Sequence, residues 1–238
     1  MRPLTVLAWD TATDRGAAAL IRWRAGETEV LADHAGEGGL HSQTLPPLAA
    51  RMLAEHDLAP GRLDLLVVGC GPGSFTGLRT GLALAKGLAW GAGRPILGLS
   101  TLEVLAAQIL AAEVDPEILA VPVIDARHGE VFVALYRGKD KLFGPAPRPP
   151  AALPAALAAV ASGRAVRVEG PAWPLVQPVL AESDLLFSGK TRPVSAVVLA
   201  RLGAEIFKRE PEAWRFHPPL PLYIREPDLR PTWPEQVC

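Results

Sequence analysis

From residue 69 the chain reads GCGPGSFTGLRTGLALAKGLAWG, a run that hands an apolar strand over to a helix through a turn crowded with glycine. Gly69, Gly71, Gly73 and Gly77 fall in or beside that turn, and Gly81, Gly87 and Gly91 recur within an otherwise good helix. A glycine inside a helix costs roughly 1 kcal/mol relative to alanine, so something must offset the pattern. Two offsets are open. A glycine-rich strand-to-helix turn brings backbone N–H groups up to an anion, and glycine also lets a second backbone approach closely. The turn fits neither common phosphate template, because no Lys-Ser/Thr follows Gly77 and Thr76 stands where a dinucleotide-binding turn has its third glycine. Gly77, Gly81 and Ala85 recur at i, i+4, i+8, flanked by Leu84 and Leu88. That spacing predicts a stripe of small side chains for close packing, within the chain or against a second chain.

The elements around this run read as one α/β unit. LTVLAWD (4–10), AAALIRW (17–23) and TEVLADHA (28–35) read as three antiparallel strands. HSQTLPPLAARMLAEHDL then places Leu45, Leu48, Met52 and Leu53 at helical spacing over 41–57, with Ser42 a candidate N-cap and Pro46 tolerable in the first turn. LDLLVVGC (63–70) is a nearly unbroken apolar run, expected of a central strand covered on both faces. The glycine helix, a strand near 94–100 and a helix over 101–112 complete the unit.

A second strand-turn-strand follows. AVPVIDARHGEVFVALY (120–136) is similar to LAWDTATDRGAAALI (7–21), each with an apolar strand that ends on an aspartate, a polar turn and a strand back. This internal duplication predicts two related lobes, a first over 1–100 and a second, reduced one over 101–194, since PAPRPPAALP leaves room only for short elements. An amphipathic helix over 195–210 is expected to pack back on the first lobe, ahead of a Pro-rich tail at 211–238. Asp10 and Asp125, one at each turn, suit a pair of phosphate- or metal-facing carboxylates across a cleft; aspartate is also simply common in turns.

Composition narrows the function. The 238 residues carry a formal net charge of −1, so no basic field is available for strong nucleic-acid binding by this chain alone. Cys70 and Cys238 have no metal or redox spacing, and Cys70 reads as a buried structural residue. No apolar span reaches the roughly 20 residues of a membrane helix, and the N-terminal apolar run is too short for a signal-peptide core; the expected location is the cytoplasm. No two of the five histidines lie three to five residues apart, which leaves no helical metal dyad, and the residues around Ser74 do not form a G-x-S-x-G elbow.

Asp10-Thr-Ala-Thr, HSQTLPPL, GPGSFTGLR, IDARHGEVFVALY and PLYIR together resemble the TsaB (YeaZ) family over nearly the whole chain. The resemblance implies an actin-like, sugar-kinase-like ATPase fold built on ribonuclease H-like lobes. It also implies a role in making threonylcarbamoyladenosine at position 37 of tRNAs that read codons starting with A. Members act as non-catalytic partners of a paralogous metal-binding threonylcarbamoyltransferase (TsaD family), with a P-loop ATPase (TsaE family) joining the complex; alone, a homodimer is expected, and tRNA is met only through the complex. The catalytic paralogue carries a His-x-x-x-His dyad where this chain has Thr101 and Leu105, with Glu103 between, so no intrinsic metal or cofactor is expected. ATP or ADP is expected only in the complex, with Asp10, Thr11, Gly71, Gly73, Ser74 and Asp125 the candidate nucleotide or phosphate contacts. His41, Leu45, Leu48, Met52, Gly77, Gly81, Leu84, Ala85 and Leu88 are the candidate partner interface. A small-molecule kinase or ATPase of the same superfamily is the alternative, and the missing dyad argues against a peptidase.

Overall fold

Alternation along the first strand sets up the whole architecture. In β1 (Leu4–Asp10), Leu7 and Trp9 face one side while Val6 and Ala8 face the other, the two-residue period of a pleated strand. β1 pairs antiparallel with β2 (Ala17–Arg24), and β2 pairs with β3 (Glu27–Ala35). After α1 (Leu45–Ala54), β4 (Leu65–Gly69) joins β1 in parallel; α2 (Phe75–Ala92) then crosses over to β5 (Ile96–Leu99), parallel to β4, and α3 (Thr101–Leu110) follows. The sheet order is β3-β2-β1-β4-β5. The computed structural model describes residues 2–36, 40, 42–210, 212 and 219–224.

The second half repeats this plan. β6 (Leu119–Arg127), β7 (Glu130–Arg137) and β8 (Asp140–Arg148) form the antiparallel part. α4 (Leu153–Ala161), β9 (Val166–Glu169), α5 (Trp173–Ala181), β10 (Phe187–Lys190) and α6 (Ala196–Arg209) complete it. Its sheet order, β10-β9-β6-β7-β8, is the first sheet's order with equivalent strands in equivalent places. The second lobe therefore keeps every strand, and its reduction lies in its helices: α5 has 9 residues where α2 has 18. Two such units side by side form the actin-like ATPase fold.

Each sheet is covered on two faces. α1 and α2 close the outer face of the first sheet over Leu7, Trp9, Leu20, Leu66 and Val68. α3 and α6 lie on the inner faces, where Leu102, Leu105, Leu199 and Ala204 join Val6, Ala8 and Val67 of one lobe to Ala120, Ile124 and Phe132 of the other in one buried cluster. The expected return of the last helix onto the first lobe is thus observed: a Cβ on Gly203 of α6 would crowd the Val67 side chain of β4.

Several expected interface residues belong to this core instead. Leu45, Leu48 and Met52 are buried on the outer cluster of their own lobe, joined by Ala85, with Leu84 and Leu88 half-buried against it. α1 begins at Leu45 with Thr44 as N-cap, not at Ser42, because Pro46 and Pro47 occupy its first turn; His41 lies outside the described residues. The Gly77–Gly81–Ala85 stripe also turns inward, toward the turn that follows β1. A Cβ on Gly77 would overlap the Thr11 carbonyl oxygen and one on Gly81 the Thr11 hydroxyl, while the Trp9 indole N–H donates to the Gly81 carbonyl at 3.0 Å.

Gly81→Leu is therefore expected to lower stability rather than to disturb association. Overpacking of this kind costs about 1–3 kcal/mol, and at about 2–4 °C per kcal/mol for a chain of this size the melting temperature should fall by roughly 2–12 °C. Calorimetry showing an unchanged melting temperature would contradict the inward-facing assignment.

Candidate functional site

Between the turns that end the first strand of each sheet lies a cleft of about 850 Å³. Its walls come from the turn after β1 (Ala12 to Arg15), the approach to and start of α2 (Gly73 to Thr76), the end of β6 and the turn that follows it (Asp125 to His128), the start of α5 and residues 222–224. Ile124, Phe132, Pro174 and Leu175 make much of the surface apolar. Among the described residues, no three His, Cys, Asp or Glu side chains are grouped to hold a metal ion.

The turn after β1 is committed inward. The Asp10 carboxylate is almost wholly buried; it accepts from the Ala12 N–H at 2.8 Å and from the Thr101 hydroxyl at 2.7 Å. Across the sheet a Cβ on Gly69 would collide with Asp10 Oδ2, and one on Gly73 with the Ala12 carbonyl. The Thr11 hydroxyl donates to the Gly77 carbonyl at 2.7 Å, and the Ser74 N–H donates to the Ala12 carbonyl at 2.7 Å. Gly69, Gly73, Gly77 and Gly81 thus all make room for the single turn Asp10–Thr11–Ala12. Of the two offsets open in the sequence, the structure supplies close packing.

This geometry separates the candidate phosphate contacts. Gly73, Ser74 and Asp125 line the cleft, whereas Asp10, Thr11 and Gly71 do not. The two aspartates form no carboxylate pair, since Asp125 stays half-exposed on the cleft while Asp10 is turned to α3. The Asp125 carboxylate accepts from the Arg127 N–H at 2.7 Å, and Ser74 Oγ accepts from the Gly77 N–H at 3.2 Å as the N-cap of α2. The N–H groups of Ala12, Ser74, Gly77 and Arg127 are therefore already partnered. Those four donors are, as built, not available to a phosphate.

Arg127 and Asp14 join Arg15 and Asp125 among the charged residues that line the cleft, and no role was read for either in the sequence. Arg127 meets Asp14 of the other lobe at 2.6 Å and Asp125 at 3.3 Å. The signal was the duplication itself, which aligns the two polar turns and so brings their charged residues face to face. The tail contributes as well. Leu222 donates its N–H to the Cys70 carbonyl at 2.7 Å, and Tyr223 packs on Phe75 with ring centroids 5.0 Å apart. Arg79 lies 3.7 Å over the Phe75 ring and donates to the Tyr223 hydroxyl at 3.1 Å. Beneath this strap, Cys70 is buried as expected; burial first and the neighbouring Asp10 second push its thiol up to about 12.

A two-lobed actin-like chain with a cleft between its turns defines a broad class, and comparison with known proteins narrows it. The sequence profile of the tRNA N6-adenosine threonylcarbamoyltransferase family (TsaD) matches residues 36–214. The tRNA threonylcarbamoyladenosine biosynthesis protein TsaB of Bacillus subtilis is 39% identical over 140 residues, 58% of each chain. An uncharacterised protein of Mycobacterium tuberculosis is 32% identical over 230 residues, 95% of this chain and 94% of the relative. The solved YeaZ of Pseudomonas aeruginosa superposes with a TM-score of 0.72 at 26% identity, over 92% of this chain and 99% of that one. The chain belongs to the TsaB (YeaZ) family, within the wider group that the TsaD profile defines.

Burial holds the Asp10 carboxyl above its ordinary value of 3.8, with the bonds from Thr101 and Ala12 pulling the other way. Because folding raises this pKa, the folded chain binds the proton more tightly than the unfolded one. The resulting stabilisation is complete below the unfolded value and is lost as pH rises through the folded value. Asp10→Asn removes the titration, so the melting temperature of the wild type relative to this variant should climb as pH is lowered from 7.5 to 4.5. A relative fall over that range, measured by calorimetry, would reverse the sign and refute the assignment.

Proposed function

We propose that this chain is a non-catalytic subunit of the machinery that forms threonylcarbamoyladenosine at position 37 of tRNAs reading codons that start with A. The observation that carries the reading is membership of the TsaB (YeaZ) family, whose relatives in Bacillus subtilis, Haemophilus influenzae and Escherichia coli are named for that biosynthesis. The residues at 101 and 105 support the non-catalytic half. The Thr101 hydroxyl is engaged by Asp10 and Leu105 is fully buried in the core between the lobes, so neither presents a ligand to a metal.

The subunit acts by pairing with the TsaD-family paralogue, and with a second copy of itself when that partner is missing; a TsaE-family ATPase and the tRNA are met in the assembled complex. The seam for pairing is the outer face of α2. Ala83, Gly87 and Gly91 are exposed at i, i+4, i+8, a Cβ on Gly87 or Gly91 would meet nothing within 4 Å, and the neighbouring Trp90 is 89% exposed. Gly77, Gly81 and Ala85, the stripe read from the sequence, pack within the chain, and this second stripe of the same spacing begins six residues further on.

Gly87→Leu tests the seam. It improves helix propensity by several tenths of a kcal/mol, so the melting temperature should hold or rise. Co-purification with the paralogue and reconstituted threonylcarbamoyladenosine formation should both drop by at least tenfold. A variant that still pairs and still supports the modification rules out this face.

A further inference from the structure

We infer that Arg127 does in this chain the work that a metal-bound phosphate does in a nucleotide-dependent protein of the same fold: it ties the two cleft turns together, so that the lobes close through an ion pair and not through a ligand. The lobes are joined permanently on their inner faces, where α3 and α6 share one apolar cluster. On the cleft side, the guanidinium reaches from the β6–β7 turn to Asp14 of the first lobe at 2.6 Å and back to Asp125 of its own turn at 3.3 Å. The bridge thus spans the line along which two lobes hinged at α3 and α6 would open.

Three observations converge on it. Four backbone N–H groups at the two turns, those of Ala12, Ser74, Gly77 and Arg127, are bonded within the chain, that of Arg127 to Asp125 at 2.7 Å. The two carboxylates that border the cleft at this point, Asp14 and Asp125, repel phosphate and attract the guanidinium. The turn also holds Arg127 and His128 at φ of +62° and +53°, ahead of Gly129 at +76°. That left-handed run is unfavourable for residues with a Cβ, and strain of this kind persists where the surroundings over-determine it. Here it aims the Arg127 side chain at the opposite lobe. Both partners of the bridge are solvent-exposed, so salt weakens it, and closure should respond to ionic strength and not to nucleotide.

The test is the distance between the lobes in the full chain. Nitroxide labels at the exposed Gln43 and Gln177, on a Cys238→Ser background and diluted with unlabelled chain, report it by double electron–electron resonance. At low salt the wild type should give one short distance population, unmoved by millimolar Mg-ATP, with a longer population growing as sodium chloride is raised. Arg127→Gly removes the guanidinium while easing the left-handed backbone, and Asp14→Asn removes the far partner; each should raise the long population about two- to fivefold at low salt, as an exposed pair allows. The inference is overturned if both variants keep the wild-type distribution, or if Mg-ATP shortens or narrows the wild-type distances.

Discussion

The structure turns on how closely α2 can approach the end of β1. Asp10 buries a carboxylate at the C-terminal end of the sheet's central strand and ties it to the Ala12 N–H and the Thr101 hydroxyl, which fixes the turn against both α2 and α3. Burying a carboxyl is costly unless hydrogen bonds accompany it, and here two do. The turn can sit so deep only because the chain supplies glycine wherever it meets β4 or α2: Gly69 opposite Asp10, Gly73 opposite Ala12, Gly77 and Gly81 opposite Thr11. The helix penalty at Gly77 and Gly81 is offset by this contact and by the bonds to Trp9 and Thr11 that the approach allows. The arrangement also brings α3 up to the first sheet, and α3 is half of the apolar layer that joins the lobes.

Duplication explains how one plan came to serve two ends. Both lobes end their first strand on an aspartate before a polar turn, and the two sheets share one strand order. Yet Asp10 is swallowed by its own lobe, whereas Asp125 stays at the cleft, where it accepts from the Arg127 backbone and holds the guanidinium. The first copy of the turn became a packing element and the second a bridging element.

The legible parts of the fold were those with strong periodicity or long apolar runs: β1, β2, β4, β6, β7 and α2 lie within a few residues of where the sequence puts them. The illegible part was the middle of the second lobe. β8 carries Pro145 and Pro147, which argue against a strand until it is seen to lie at the sheet edge, where proline is tolerated. α4 and α5 each begin with a proline in the first turn, and Pro178 lies within α5, so the proline-rich composition belongs to short helices whose periodicity it obscures. At the site, the direction of the candidate side chains was not legible. Asp10 and Thr11 were placed in the cleft because turn position carries no sign for inward or outward, and burial is a tertiary property. The same ambiguity put the small-residue stripe of α2 one face away from where it is exposed, since Gly77–Gly81–Ala85 and Ala83–Gly87–Gly91 obey the same spacing.

α2 thereby carries two kinds of glycine, and the difference bears on what the helix is for. Gly77 and Gly81 are fixed by contacts that a Cβ would violate within the chain. Gly87 and Gly91 touch nothing among the described residues that a Cβ would disturb, so each gives up roughly 1 kcal/mol of helix propensity with no compensating contact there. Beside them the Trp90 side chain, a large apolar surface that gains most by leaving water, is left almost fully exposed. A helix that surrenders propensity and exposes an indole on one face, while packing tightly on the other, recovers both costs when a second helix crosses close over the glycines and covers the indole. Among the described residues nothing compensates for these two glycines, and that observation on α2 supports the proposed pairing.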